Sequence, residues 1–150
     1  MKYIRFANTD MNVSRLCLGG MMSSRKNDAP TTKLVIDQAL AAGVNFIDTA
    51  ESYGDSEDYI GRALEGRRDK VFLATKVYTK RAGEAAGRNS PANIERSLDR
   101  SLKQLRTDRV DLYQLHHPDD ETRLDETLET LDRAVRAGKV RYLGVTNHYA

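Results

Sequence analysis

Four side chains of types that can jointly protonate a substrate oxygen lie between residues 48 and 116: Asp48, Tyr53, Lys76 and His116. A phenol with its ordinary pKa of about 10 is a poor acid at neutral pH, but a nearby ammonium stabilises the phenolate and lowers that pKa. A carboxylate paired with the lysine keeps the lysine charged and in place, and a histidine can orient the substrate oxygen. The set indicates general acid chemistry if the fold brings the four together.

Most of these polar residues follow short apolar runs. Runs rich in Val, Ile, Phe and Tyr predict strands at residues 16–18, 44–47, 71–75, 110–115 and 140–146. Asp48, Lys76 and His116 stand at the ends of three of these strands, and Thr146 and Asn147 at the end of the last. Ligands of parallel α/β sheets bind at the carboxyl ends of the strands, so we expect these groups to converge.

Amphipathic helical patterns separate the runs, and residues 1–14 predict a β-hairpin that turns near residues 8–10. Strand and helix therefore alternate four times before a fifth strand, which predicts a parallel sheet. An open doubly wound sheet and a TIM-type barrel both fit this order. The expected helix starts are Thr31 or Thr32, Asp55 or Ser56, and Ser90 before Pro91, and Thr122 precedes the fourth helix. The expected stops are Gly43, Gly66 and Gly138.

Each candidate also has an ordinary structural interpretation. Taken alone, Asp48 could cap a loop, Lys76 could be a solvated strand end and Tyr53 could pack on the rim. The adjacent His116 and His117 could indicate a metal site, but neighbouring residues of a strand point to opposite faces. No compact set of carboxylates and histidines at ligand spacing accompanies them, so no metal is expected.

Composition limits the partners. The 150 residues suit one domain, and 24 basic against 22 acidic residues give a net charge of +2 without the basic cluster that nucleic-acid binding needs. Cys17 is the single cysteine, which excludes an internal disulfide framework and a cysteine-based zinc site. No apolar run could span a bilayer, and residues 1–20 do not resemble a signal peptide. We expect a soluble, cytoplasmic protein with neither nucleic-acid nor membrane partners.

Together these segments resemble the aldo-keto reductase family. The resemblance covers the whole chain, in the family's order and spacing. It is carried by residues 43–50 with 53–54, residues 74–76, the Leu-His-x-Pro segment within residues 111–118, and residues 138–147.

The resemblance implies a (β/α)8 barrel and NADPH-dependent reduction of a small aldehyde or ketone to an alcohol. Tyr53 would donate the proton, Lys76 and Asp48 would tune it, and His116, two residues before Pro118, would orient the carbonyl. Asp48 would also lie against the cofactor. Asn147 and Thr146, the latter where serine is more usual, would hold the nicotinamide carboxamide. Gly20 and Met21 would lie beside the cofactor.

Members of this family are about twice as long as this chain. Residues 1–150 are therefore expected to form a partial barrel domain of about the first five β/α units, short of the loops that hold the cofactor phosphates. We expect self-association through the open barrel edges and no useful carbonyl reduction by this chain alone. One alternative is a non-enzymatic cofactor-binding or regulatory subunit. Another, a Schiff-base aldolase using Lys76, is weaker because a lysine paired with a carboxylate stays protonated.

Overall fold

The computed structural model describes residues 1–21, 23, 26–78 and 88–148, which form seven strands and four α-helices. The strands are β1 (Tyr3–Arg5), β2 (Asn12–Ser14), β3 (Leu18–Gly19), β4 (Phe46–Asp48), β5 (Phe72–Lys76), β6 (Val110–Leu115) and β7 (Val140–Val145). The helices are α1 (Ala29–Ala41), α2 (Ser56–Ala63), α3 (Pro91–Leu105) and α4 (Leu124–Arg136).

The parallel sheet has the strand order of a barrel. Strands β3 to β7 form one five-stranded sheet in which each strand pairs with the next one along the chain. In a doubly wound sheet the order reverses at a switch point, whereas successive strands of a TIM-type barrel are neighbours throughout. The fold is therefore α/β, with the first five strands and intervening four helices of the (β/α)8 type. The predicted barrel is confirmed over the doubly wound alternative.

Helix α1 begins at another residue than the sequence pattern predicts. Helix α1 begins three residues before Thr32, because Asp28 is its N-cap and accepts a 2.9 Å hydrogen bond from the Thr31 backbone nitrogen. Helix α4 begins at Leu124, after Thr122 as the sequence predicts; its N-cap is Arg123, and the Thr122 hydroxyl donates to Asp119 Oδ2 at 2.7 Å. Of the strand predicted at residues 16–18, only Leu18 lies in a strand, because β3 is Leu18–Gly19.

The core lies between the sheet and its helices. Helices α2 and α3 approach each other closely at Gly61, where a Cβ would collide with the backbone of Gln104 and Leu105. The α1 helix ends beside Gly43, whose φ of +85° favours glycine at this position. Fully buried side chains that fill the core include Ile36, Ile47, Ile60, Leu73, Ile94 and Tyr113.

The predicted N-terminal hairpin is present and packs against the amino ends of the parallel strands. Strands β1 and β2 pair in antiparallel fashion. Ser14 and Asn45 exchange two hydrogen bonds, from the Ser14 nitrogen to Asn45 Oδ1 at 2.6 Å and from the Asn45 nitrogen to Ser14 Oγ at 3.1 Å. Asp10, in the hairpin turn, pairs with Arg141 at 2.7 Å. The hairpin therefore lies at the end of the sheet opposite to the predicted site, which is at the carboxyl ends of the strands.

Within the described parts of the chain, none of the helices has the length and apolar character needed to cross a membrane.

Candidate active site

Three polar residues of the predicted set lie at the carboxyl ends of adjacent strands. Asp48 ends β4, Lys76 ends β5 and His116 follows β6. The register places Asp48 opposite Ala74, two residues before Lys76, and pairs Lys76 with Gln114. Because side chains two residues apart on a strand share a face, the register brings Asp48 and Lys76 to one end of the sheet on one face, and His116 follows β6 at the same end.

Lys76 is the centre of the cluster. Its Nζ donates to Asp48 Oδ2 at 2.7 Å and to the backbone oxygen of Thr49 at 2.8 Å, and it lies 3.5 Å from the Tyr53 hydroxyl. The lysine side chain is only 7% exposed. The same Nζ lies 4.9 Å from the centroid of the Tyr53 ring. A shielded ammonium thus joins the carboxylate and the phenol.

Tyr53 is held by the loop between β4 and α2. Its backbone nitrogen donates to the oxygen of Ala50 at 3.0 Å, which closes a turn over residues 50–53. Its own backbone oxygen accepts from the nitrogen of Ser56, the first residue of α2, at 3.3 Å. Thr49 Oγ1 and Ser56 Oγ lie 2.9 Å apart and link the two ends of the loop. The phenol is therefore carried by a short loop fixed at both ends.

His116 completes the set. Its ring meets the Tyr53 ring edge-on, with centroids 5.8 Å apart and an interplanar angle of 78°. Burial, with smaller contributions from the charge of Lys76 and from His117, lowers the pKa of His116 to about 4. The imidazole is therefore neutral at neutral pH, when one ring nitrogen is a donor and the other an acceptor.

The two histidines do not point to opposite faces. The His116 and His117 rings are stacked with centroids 4.7 Å apart and an interplanar angle of 16°. Strand β6 ends at Leu115, so the alternation of side chains along a strand no longer applies to these residues. Among the residues that the structure describes, there is no group of three or more His, Cys, Asp or Glu side chains that could hold a metal ion.

Two polar neighbours of the set were missed by the sequence reasoning. Gln114 Nε2 donates to Asp48 Oδ1 at 3.3 Å, and Ser52 Oγ lies 3.4 Å from His116 Nδ1. Gln114 could have been found from its place near the carboxyl end of the strand predicted at residues 110–115, where the polar residues of the other strands also lie. Ser52 had no comparable signal, because it lies in a loop.

The predicted cofactor residues flank this cluster at the two edge strands. The Gly20 nitrogen donates to the backbone oxygen of Asp48 at 2.6 Å, and a Cβ at Gly20 would lie 2.9 Å from Ser56 Oγ. Met21 follows Gly20 and is 44% exposed. Across the sheet, Asn147 has a φ of +57° and its Nδ2 donates to the backbone oxygen of His116 at 2.8 Å.

Thr146, the neighbour of Asn147, extends the pairing between β6 and β7 by one hydrogen bond. Its nitrogen donates to the oxygen of Leu115 at 3.0 Å, and its side chain is half-buried. Gly20 and Asn147 are thus bonded directly to members of the cluster, whereas Met21 and Thr146 are next to them in the chain.

Comparison with known proteins identifies the family of this chain. Residues 15–150 match the profile described as Aldo/keto reductase family. The chain is 42% identical over 161 aligned positions to the uncharacterized oxidoreductase YrpG of Bacillus subtilis, covering 98% of this chain and 49% of that protein. It is 36% identical to the aldo-keto reductase yakc [NADP(+)] of Schizosaccharomyces pombe, covering 87% of this chain and 40% of that protein.

The fold has a matching solved structure. Aldo-keto reductase AKR11C1 from Bacillus halodurans, in its holo form, superimposes with a TM-score of 0.88 at 34% identity, covering 98% of this chain and 50% of that one. The chain spans about half the length of the relatives it matches. With its barrel-type strand order and the matched residues 15–150, the chain belongs to the aldo-keto reductase family of oxidoreductases.

Proposed function

We propose that the protein takes part in NADPH-dependent reduction of an aldehyde or ketone to an alcohol, with Tyr53 as the proton donor. The observation that carries this proposal is the position of Lys76 Nζ, 2.7 Å from Asp48 Oδ2 and 3.5 Å from the Tyr53 hydroxyl. This arrangement supplies an acid whose conjugate base lies beside a fixed positive charge.

Each side chain has one task in the proposed reaction. The Tyr53 O–H bond breaks and its proton goes to the carbonyl oxygen, while the Lys76 ammonium stabilises the phenolate that remains. Asp48 holds Lys76 in place through the 2.7 Å ion pair. His116, neutral at neutral pH, donates an N–H to the substrate oxygen and so orients the carbonyl. Bound NADPH would supply the hydride to the carbonyl carbon.

The residues at the two edges fit a nicotinamide. The Asn147 amide nitrogen is used on the backbone of His116, which leaves its amide oxygen to accept from a carboxamide N–H. Thr146 adds a hydroxyl next to Asn147, and Gly20 with Met21 would line the opposite side. The NADP(+) in the name of the Schizosaccharomyces pombe relative supports the choice of cofactor. We further propose a small carbonyl compound as the substrate and the cytoplasm as the site of action.

A fused enzyme provides the test, because the relatives are about twice as long as this chain. In this fusion, residues 1–148 are joined to the part of YrpG that follows its matched half. Reduction of an aromatic aldehyde is followed by the loss of NADPH absorbance, with Tyr53→Phe as the test variant and Tyr59→Phe as the matched control. Tyr59 lies on α2, away from the turn that carries Tyr53. For the 150-residue chain by itself we expect no useful turnover.

Two other functions are distinguishable in the same experiments. A regulatory subunit would bind NADPH, measured by fluorescence titration, with no turnover even in the fused enzyme. A Schiff-base aldolase would form a borohydride-trapped adduct on Lys76. The Lys76 ammonium donates to both Asp48 and Thr49, which makes it a poor nucleophile and disfavours the aldolase.

A further inference from the structure

We propose that Glu51 is a positioning residue for Tyr53, and that it acts through ion pairs to Arg96 and Arg100 on helix α3. The proposal rests on the proposed role of Tyr53 as proton donor. It assigns to the outer surface of α3 a part in fixing the catalytic phenol.

Glu51 occupies the turn that carries Tyr53. The hydrogen bond from the Tyr53 nitrogen to the Ala50 oxygen, at 3.0 Å, makes Glu51 the second residue of this turn. On the active-site side the loop is held by Lys76, whose Nζ donates to the Thr49 oxygen at 2.8 Å. The Glu51 side chain is 1% exposed and meets α3. The turn is thus held from two sides, by Lys76 and by Glu51.

Two arginines one helical turn apart supply the positive charge. Arg100 Nη1 lies 3.5 Å and Arg96 Nη1 3.9 Å from Glu51 Oε1. The Arg96 guanidinium also lies 5.4 Å from the centroid of the Tyr78 ring. Burying a carboxylate is costly unless it is paired, so the burial of Glu51 indicates that these contacts hold the turn against α3.

The second buried carboxylate nearby does not compete for these arginines in the same way. Glu57, on α2, accepts a 2.6 Å hydrogen bond from the Thr75 hydroxyl. Burial raises the pKa of Glu57 to about 7, and the charge of Glu51 adds to this rise. Glu51 is therefore the carboxylate that pairs with the two arginines, whereas Glu57 is held mainly by neutral donors and the charge of Arg100 is a minor influence on its pKa.

Positioning and plain stabilisation predict different hydrogen-exchange results. If Glu51 only stabilised the fold, its loss would speed exchange of all globally protected amides by a common factor. If it holds the turn, the Tyr53 amide is released locally. The Leu73 amide, buried in β5 and bonded to Asp111 Oδ2 at 2.9 Å, serves as the global reference.

The experiment is amide hydrogen exchange by NMR on the 150-residue chain. With Glu51→Gln, which keeps the shape but removes the charge, we expect Tyr53 exchange to rise about tenfold more than Leu73 exchange. With Arg100→Gln, at a position whose side chain is 57% exposed, we expect a rise of about threefold, and Arg100→Lys should restore most of the protection. Arg133→Gln is the matched control, because it breaks the exposed 3.0 Å pair of Arg133 with Glu95 on α3.

Two outcomes would overturn the proposal: equal changes at Tyr53 and Leu73, or an unchanged Tyr53 amide in both Glu51→Gln and Arg100→Gln. The exchange measurement needs neither cofactor nor turnover. The exchange result therefore stays valid if the proposed carbonyl reduction is not observed, and a failed exchange prediction would not contradict the proposed reduction.

Discussion

Replacing Glu57 with glutamine should change the pH dependence of folding. Glu57, on α2, is fully buried and accepts a hydrogen bond from Thr75 of β5. Burial raises its pKa from an ordinary 4.5 to about 7, and the donated hydrogen bond from Thr75 only partly opposes that rise. The native state therefore holds this proton more tightly than the unfolded chain does.

The sign of the effect follows from proton binding. Below pH 4.5 Glu57 is protonated in both states; as the pH rises toward 7, the unfolded chain loses the proton first and the native state is destabilised. Each pKa unit corresponds to about 1.4 kcal/mol, so Glu57 should cost the parent chain about 3 kcal/mol by the upper end of this window. Glutamine keeps an oxygen for Thr75 and removes the titration.

Urea unfolding of parent and variant across this pH window gives the test. The free energy of unfolding of Glu57→Gln relative to the parent should rise by about 3 kcal/mol between the two ends of the window. Glu129→Gln, at an exposed position on α4, is the control for the change of charge. A difference between Glu57→Gln and the parent that does not vary with pH would refute the reasoning about burial.

Three further predictions come from other regions. His116 has a lowered pKa, so the stability of the parent relative to His116→Asn should be lost as the pH falls from 6.5 toward 4, which urea titrations would reveal. Leu143 and Val145, on the edge strand β7, are 41% and 60% exposed, so the 150-residue chain should self-associate in sedimentation experiments. Val145→Lys should weaken this association, whereas the control Val35→Lys on α1 should not. Gly61→Ala should lower the free energy of unfolding by about 1–3 kcal/mol in thermal or urea melts, because its Cβ would meet the α3 backbone; an unchanged value would show that the helices can separate at no cost.

The sequence was sufficient for the parts of the fold that follow from periodicity. The strand at residues 110–115 agrees with β6, and the polar residues that end β4 and β5 meet as expected, since parallel register aligns the ends of neighbouring strands. The strand order could not be derived from alternation alone, because a barrel and a doubly wound sheet share the same local pattern. The pairing of each strand with its successor is what distinguishes the barrel.

The sequence could not predict which of several possible partners, near or distant in the chain, a polar side chain contacts. Thr31 and Thr32 look like N-caps, but Asp28 caps α1, which therefore begins at Ala29, before both threonines. Glu51 lies between Asp48 and Tyr53, and nothing in the sequence pattern distinguishes it. It is buried beside Arg96 and Arg100, more than 40 positions further along the chain. Such contacts are set by helix packing and leave no periodic signal.

The rate of aldehyde reduction by the fused enzyme, with and without the Tyr53 hydroxyl, tests the central claim most directly. A positioned general acid contributes about 10²–10⁴-fold, so Tyr53→Phe should lower kcat by at least about 10²-fold while NADPH still binds. Tyr59→Phe should leave the rate unchanged. A Tyr53→Phe variant that reduces the aldehyde at the parent rate would contradict the assignment of Tyr53 as the proton donor.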